Sequence, residues 1–349
     1  MFRAAAKLRN CSWVSFTSFC TKSLKLEMEK PCILVATPGI YGIYKCFIPI
    51  LEKHFTVVYT EEFARCKERF ADTIQAIILW CAPTVDRDLL QSLPNLKVVA
   101  NGGVGVDHLD IPLINSFGVK VTNTPQVVDN ATADLGMALM LASARRLIEG
   151  HNFSLSQETQ YSPKVTLGFD VSGATLGIIG MGRIGYKVAQ RARGFDMKIL
   201  YHNRNKRTEE EETAVGAHYC EKIEELLQKS DFVMLVVNLS PQTHKLIGAR
   251  ELALMKPTST LINISRGLVV DQEALVDALQ KGTIHGAALD VTYPEPLPRD
   301  HPLLSLKNVI VLPHLGTNTY QTSQKMVERM VTNTLAVLNG SPPPDEVRP

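Results

Sequence analysis

The stretch from Thr175 to Arg204 constrains this chain more than any other part of it. The apolar run 175–179 reads as a buried strand, and Gly180, Gly182 and Gly185 follow it at i, i+2 and i+5. Ile184, Val188, Ala189 and Ala192 then fall at helical spacing, before a second strand-like run opens at Met197. This makes a complete βαβ unit of about 30 residues, and that context, more than the glycines alone, points to a dinucleotide-binding turn. Each glycine has its own task. Gly180 permits the tight turn out of the strand, Gly182 lets the backbone approach a pyrophosphate, and Gly185 lets helix and sheet pack closely. The helix start adds unpaired N–H groups and the positive end of its dipole.

The end of the second strand bears on which dinucleotide binds. An Asp or Glu about 20 residues past the glycines would hold a ribose 2′-hydroxyl. No acid occurs from Met197 to Thr208, and Asp196 comes only 11 residues after Gly185, too early to reach the ribose. Asn203, Arg204, Asn205, Lys206 and Arg207 stand there instead. A guanidinium binds a 2′-phosphate that a carboxylate would repel, so Asn203 and Arg204 favour NADPH, with NADH possible. The alternative is a solvated basic loop balanced by Glu209–Glu212.

With 349 residues, two domains of ordinary size are expected. No apolar run reaches the roughly 18 residues of a membrane-spanning helix, and a formal charge of +2 suggests no nucleic-acid-binding face. The seven cysteines show neither CxxC nor metal-ligand spacing, which fits a reducing compartment and no metal. Residues 1–26 differ from the rest. They hold five of the 37 basic side chains and no acid, leaving 32 basic against 35 acidic side chains in the remainder. Such a leader reads either as a mitochondrial transit peptide or as a disordered extension, with Met28 as an alternative start. The expected location is cytosolic, or mitochondrial if the leader acts as a transit peptide.

From Pro31 onward, strands and helices alternate, as in a parallel sheet covered on both faces. Strands are expected at Cys32–Ala36, Thr56–Tyr59, Ala76–Leu79 and Leu96–Ala100, with helices at Ile43–Lys53, Glu61–Asp72 and Asp86–Leu93. A glycine-rich segment follows from Asn101 to Asp107. Its exposed N–H groups could hold a carboxylate, although taken alone an ordinary turn is the better reading. A long amphipathic helix is expected from Asp129 to about Ile148, connecting the domains and offering a packing surface to a second subunit. Residues 151–170 read as polar loop. Beyond the βαβ unit, Asn238, Arg266, Asp290 and His314 each stand at or just past the carboxyl end of an expected strand, where open parallel sheets hold their ligands.

Those residue types suit one chemistry. Arg266 offers a fixed fork of donors and a permanent charge to a 2-oxo acid. His314 can give a proton to a carbonyl oxygen as hydride reaches the carbon. Glu295 could accept a hydrogen bond from the other imidazole nitrogen and fix the ring.

Gly180–Gly185, Asn263–Gly267, Leu289–Pro296 and Pro313–Gly316 resemble the D-isomer-specific 2-hydroxyacid dehydrogenases. The intervals of 29 residues from Arg266 to Glu295 and 19 from Glu295 to His314 are similar to that family's, as are Asn101–Asp110, Thr122–Pro125 and Thr132–Asp134. Asp290–Pro298 and His301–Leu304 resemble its glyoxylate/hydroxypyruvate reductase branch. The resemblance implies an α/β chain: a Rossmann-type nucleotide domain at 128–315 and a smaller, discontinuous flavodoxin-like substrate domain at 27–127 and 316–349. It implies that Val104 and Gly105 bind the substrate carboxylate, reversing the reading as an ordinary turn. Arg266 would grip carboxylate and carbonyl, and His314 with Glu295 would be the acid/base pair. Thr132, Arg183, Ile184, Ile264, Asp290, His314 and Gly316 would face the cofactor together with the glycines, Asn203, Arg204 and Asn238.

A homodimer through 128–150 is implied as well, and so are glyoxylate and hydroxypyruvate as substrates. Related reductases often carry a tryptophan after the long helix, whereas this chain has only Trp13 and Trp80. A larger 2-keto sugar acid such as 2-ketogluconate therefore stays open. So does a non-enzymatic NAD(H)-sensing protein of the same fold, against which Arg204 and the leader argue. A 3-phosphoglycerate dehydrogenase with a regulatory domain is disfavoured by the short chain after the helix expected at 319–338.

Overall fold

The computed structural model describes residues 30–39, 42–156 and 167–348, so the leader lies outside the described residues. Two sheets carry the fold. The first has the order β13-β5-β4-β3-β1-β2, built from β1 (Cys32–Val35), β2 (Thr56–Tyr59), β3 (Ile74–Leu79), β4 (Val98–Asn101), β5 (Lys120–Thr122) and β13 (Glu346–Val347). The second has the order β12-β11-β10-β9-β6-β7-β8. Its strands are β6 (Thr175–Ile179), β7 (Lys198–His202), β8 (Ala217–Tyr219), β9 (Phe232–Leu235), β10 (Thr260–Asn263), β11 (Gly286–Leu289) and β12 (Val309–Val311). All neighbours run parallel except β13, which pairs antiparallel with β5 through Glu346–Thr122 and Val347–Val121. This is the α/β Rossmann-type architecture expected from the alternation of strands and helices.

Burial on both faces explains the sequence pattern. β9, β10 and β11 are buried at every position and so read as unbroken apolar runs rather than alternating ones. One face of the second sheet is covered by Ala133, Met137 and Met140 of the long helix, against Ile178, Met234 and Ile262. Gly136 allows that approach, because a Cβ there would lie 2.9 Å from Ile264 Cδ1 and 3.0 Å from Met234 Sδ. On the first sheet, Val327, Met330 and Val331 of the helix Tyr320–Leu338 pack against Ala76, Ile78, Val98 and Ala100. The helix Tyr320–Leu338 and β13 thus complete the sheet that β1 begins.

Several expected boundaries move. The long helix ends at Ala144, Arg146 takes a left-handed φ of 52°, and a second helix runs Leu147–Leu155. The returning chain causes the break. The Phe169 N–H donates to the Ala144 carbonyl at 2.8 Å, capping the helix, while both Glu149 oxygens accept from Arg146. Part of the expected 151–170 loop is therefore helical, and residues 157–166 lie outside the described residues. The expected helix 61–72 divides into Thr60–Arg65 and Lys67–Phe70 at Cys66, and helix 43–53 shortens to a 3-10 turn plus Ile48–Glu52.

Candidate functional site

Parallel strands bring the carboxyl ends of β4, β6, β7, β10, β11 and β12 towards one cleft, and each loop there has a local reason for its shape. After β6, Gly180 adopts φ +100°, and a Cβ on it would lie 2.7 Å from the Val236 carbonyl. Gly182 is the N-cap of the helix Arg183–Ala192, and a Cβ there would meet nothing within 4 Å. A Cβ on Gly185 would overlap the Gly180 carbonyl oxygen. A tight turn, an open approach to the helix start and close packing thus fall to three different glycines. An open N-cap of this kind fits a dinucleotide pyrophosphate.

Around this turn, Arg183 Nε lies 3.3 Å from an Asp129 carboxylate oxygen, and Ile184 packs half-buried against the core. Thr132, 7% exposed, converges with Asp290 on Gly316, where a Cβ would lie 3.4 Å from Thr132 Cγ2 and 3.1 Å from Asp290 Oδ2. Ile264 is buried under the long helix, and the Asn238 carbonyl accepts from Thr243 Oγ1 at 2.6 Å. Asn203 also braces the glycine turn. Its Oδ1 accepts from the Met181 N–H at 2.6 Å and its Nδ2 donates to the Met181 carbonyl at 3.3 Å, leaving a second N–H on the amide. Lys206 pairs with Glu212 at 3.3 Å and Arg207 pairs with Glu211. Among the described residues, Arg204 is exposed and has no acidic partner.

Opposite the glycine turn, the β4 loop meets Arg266. Among the described residues, neither the Val104 nor the Gly105 N–H has a hydrogen-bond acceptor. Their carbonyls are fixed instead, Val104 O by Asn123 Nδ2 at 2.9 Å and Gly105 O by Asn101 Nδ2 at 3.0 Å. A Cβ on Gly105 would overlap the Arg266 guanidinium, so only glycine allows the arginine to lie against this backbone. Arg266 Nε donates to Asp107 Oδ1 at 2.9 Å, and one Nη donates to the Ser265 carbonyl at 2.9 Å. Behind it, buried Asn263 accepts from the Ser265 N–H and hydroxyl and donates to the Arg266 carbonyl at 2.9 Å, shaping the turn.

The acid/base pair sits on the next two loops. His314 Nδ1 lies 2.9 Å from Glu295 Oε2, and the other Glu295 oxygen accepts from the Thr292 N–H at 3.2 Å. Gln272 pins the same turn by donating to the Tyr293 carbonyl and accepting from its N–H. His314 itself has φ +58°, a left-handed conformation that only a few per cent of non-glycine residues adopt. Asp290 holds it there. Its carboxylate, 1% exposed, accepts from the Leu315 N–H at 2.6 Å and the Gly316 N–H at 2.9 Å. Burial raises the Asp290 carboxyl above its ordinary range, with the backbone donors and His314 pulling it back. Asp290, expected at the nicotinamide carboxamide, accepts one N–H on each oxygen from the turn carrying His314, and each oxygen keeps a second acceptor site.

Some contributors escaped the sequence reading. Asp107 was seen only as the end of a glycine segment, and Arg207 only as one charge in a basic loop. Trp80 packs beside the same loop, with Cε3 3.1 Å from where a Gly102 Cβ would stand. A cavity of about 650 Å³ lined by Thr37, Tyr59, Glu62 and Cys66 lies beside the outer strand β2 and contains none of these groups.

A glycine turn on a parallel sheet, faced by an arginine and a histidine–glutamate pair, defines a nucleotide-dependent oxidoreductase. Comparison with known proteins gives the family. The model of the NAD binding domain of the D-isomer specific 2-hydroxyacid dehydrogenases matches residues 137–316. A glyoxylate reductase of Thermococcus gammatolerans is 45% identical over 306 residues, covering 85% of this chain and 91% of that protein. A glyoxylate/hydroxypyruvate reductase B of an Enterobacter species is 42% identical over 298 residues, covering 83% and 91%. Among solved structures, an NADPH-dependent glyoxylate/hydroxypyruvate reductase of Sinorhizobium meliloti, crystallised with NADP and malonate, superimposes with a TM-score of 0.80 at 31% identity, covering 91% of this chain and 97% of that one. This chain belongs to the D-isomer-specific 2-hydroxyacid dehydrogenase family, close to its glyoxylate/hydroxypyruvate reductases, and is an NAD(P)-dependent oxidoreductase.

Proposed function

We propose that this protein is an NADPH-preferring reductase of small 2-oxo acids, converting glyoxylate to glycolate and hydroxypyruvate to D-glycerate. The observation that carries the reading is the Arg266 guanidinium lying against Gly105, on the cleft that also holds the His314–Glu295 pair at 2.9 Å. A carboxylate received by the free Val104 and Gly105 N–H groups and by Arg266 leaves the adjacent carbonyl oxygen for His314 to protonate. Glu295 holds the ring by its other nitrogen. The nicotinamide, when bound, supplies the hydride to the carbonyl carbon. Glycine turn, Arg183, Thr132 and Asn238 are the residues for the dinucleotide, and Arg204, the loop cation without an acidic partner, is the one for a 2′-phosphate. The named relatives act on this substrate class, and the Sinorhizobium meliloti neighbour was solved with NADP.

We assign 128–315 to the nucleotide domain, and 27–127 with 316–349 to the substrate domain, in line with the sheet to which each segment contributes. A homodimer through the 128–150 region is supported by Leu147 and Ile148, 55% and 53% exposed at its end. Sedimentation returning only monomer would remove that part. A cytosolic location is supported by the five described cysteines, all unpaired, and fractionation with mitochondria would reassign the leader as a transit peptide.

The test is oxidation of NADPH and NADH by the purified full chain with glyoxylate, hydroxypyruvate and 2-ketogluconate. Turnover on the first two, favouring NADPH and losing that preference in Arg204→Asp, is expected. Better turnover on 2-ketogluconate would change the substrate assignment. Tight cofactor binding without turnover on any of them would leave a nucleotide-sensing protein.

A further inference from the structure

Met181, the residue between the first two glycines, is held at both ends of its peptide. Asn203 takes its N–H and shares its carbonyl, and Arg207 Nε donates to that same carbonyl at 2.6 Å. Arg207 also reaches the helix that follows, its guanidinium carbon 5.0 Å from the centre of the Tyr186 ring. Its Nη1 pairs with Glu211, whose other oxygen closes the capping box with Thr208. The side chain is only 19% exposed. Gly180 and Gly182 give this turn its shape but also free it to flex, since neither has a side chain to resist rotation.

We propose that Arg207 is a positioning residue of the dinucleotide site. It holds the Gly180–Met181–Gly182 turn and the first turn of the next helix in the one arrangement that receives a pyrophosphate. By occupying Glu211 it also keeps that carboxylate away from Arg204. The first role is common to NADPH and NADH, and only the second rests on the NADPH reading above. Arg207 therefore governs affinity for any pyrophosphate-bearing ligand, while Arg204 governs the choice between the two cofactors. A fork is needed for this. One planar group must bond a carbonyl, pair with a carboxylate and lie over a ring, which a lysine ammonium does not reproduce.

The test uses the full chain and four variants, Arg207→Gln, Arg207→Lys, Tyr186→Leu and Arg204→Gln. Dissociation constants for NADPH, NADH and ADP are measured by titration, and each variant's melting temperature is recorded. Arg207→Gln should weaken all three ligands by a similar factor, about tenfold, with the NADPH-to-NADH ratio unchanged. Arg207→Lys should lose nearly as much, and Tyr186→Leu should give a smaller loss of the same non-selective kind. Should Arg207→Gln fail to fold, the lysine and leucine variants carry the test. Loss confined to NADPH would mean that Arg207 itself meets the 2′-phosphate and would overturn the proposal. So would full affinity in Arg207→Lys, or a fall in melting temperature with all three affinities intact. A non-selective loss in Arg204→Gln would sink the NADPH reading while leaving the Arg207 result standing.

Discussion

His314 combines a strained backbone with an exposed imidazole, and the residues around it explain both. Asp290 fixes the turn through two N–H donors, and Glu295 fixes the ring through one nitrogen, leaving Nε2 to face the cleft. His314→Gln removes proton transfer but not the glycine turn, so turnover should fall roughly 10²–10⁴-fold with NADPH affinity nearly kept. Turnover close to that of the unaltered protein would show that another group is the acid. Asp107 has a comparable relation to Arg266. It takes the Nε proton and turns the rest of the fork towards Gly105. Asp107→Asn should raise KM for glyoxylate by about tenfold, and an unchanged KM would show that Arg266 orients itself. At this scale Arg266, Glu295 and His314 were legible because each has a rare chemistry next to an expected strand end. Asp107 and Arg207 were not, since an acid or arginine in a loop reads as a solvated charge until its partner is known.

At the scale of elements, the strands most legible are those buried at every or nearly every position, such as β3, β4 and β6, where four or five apolar residues in a row have no other use. β5, β8 and β13 have three residues or fewer and exist because a neighbour pairs with them. The break at Ala144 was hidden for a similar reason. The apolar spacing runs on past it, and the cap comes from Phe169, 25 residues further along the chain. The helix Tyr320–Leu338 carries the clearest energetic claim. Met330 is fully buried against β3 and β4, with Ile78 and Ala100 equally closed. Met330→Ala should cost about 2–5 kcal/mol in urea unfolding. A loss well below 1 kcal/mol would mean that this helix does not complete the core of the first sheet.

Across the whole molecule, burial of titratable groups sets how stability depends on pH. His285 packs edge-on against Phe169 at 4.8 Å, and burial, helped by Arg146, holds it below its ordinary value of 6.5. The unfolded chain then binds more protons than the folded one in the range just under 6.5, so stability falls as the solution is acidified through that range. His285→Gln should flatten the decline in melting temperature between about pH 7 and pH 5.5. An identical slope in the variant would assign the effect to other groups.

By itself the sequence determined the alternation of strands and helices, the dinucleotide turn and the residue types available for proton transfer and carboxylate binding. Those features are local: strand burial, glycine spacing and side-chain chemistry act within a few residues of one another. Only the tertiary structure decided that Arg266 lies on Gly105 and pairs with Asp107, 159 positions away, and that Glu346–Val347 form a strand antiparallel to β5. It also decided which cations of the 204–207 loop are spent on acids and which one is left. The physical reason is that an ion pair or a packed face depends on which chain segments meet, and neither partner's own neighbourhood in the sequence records the other.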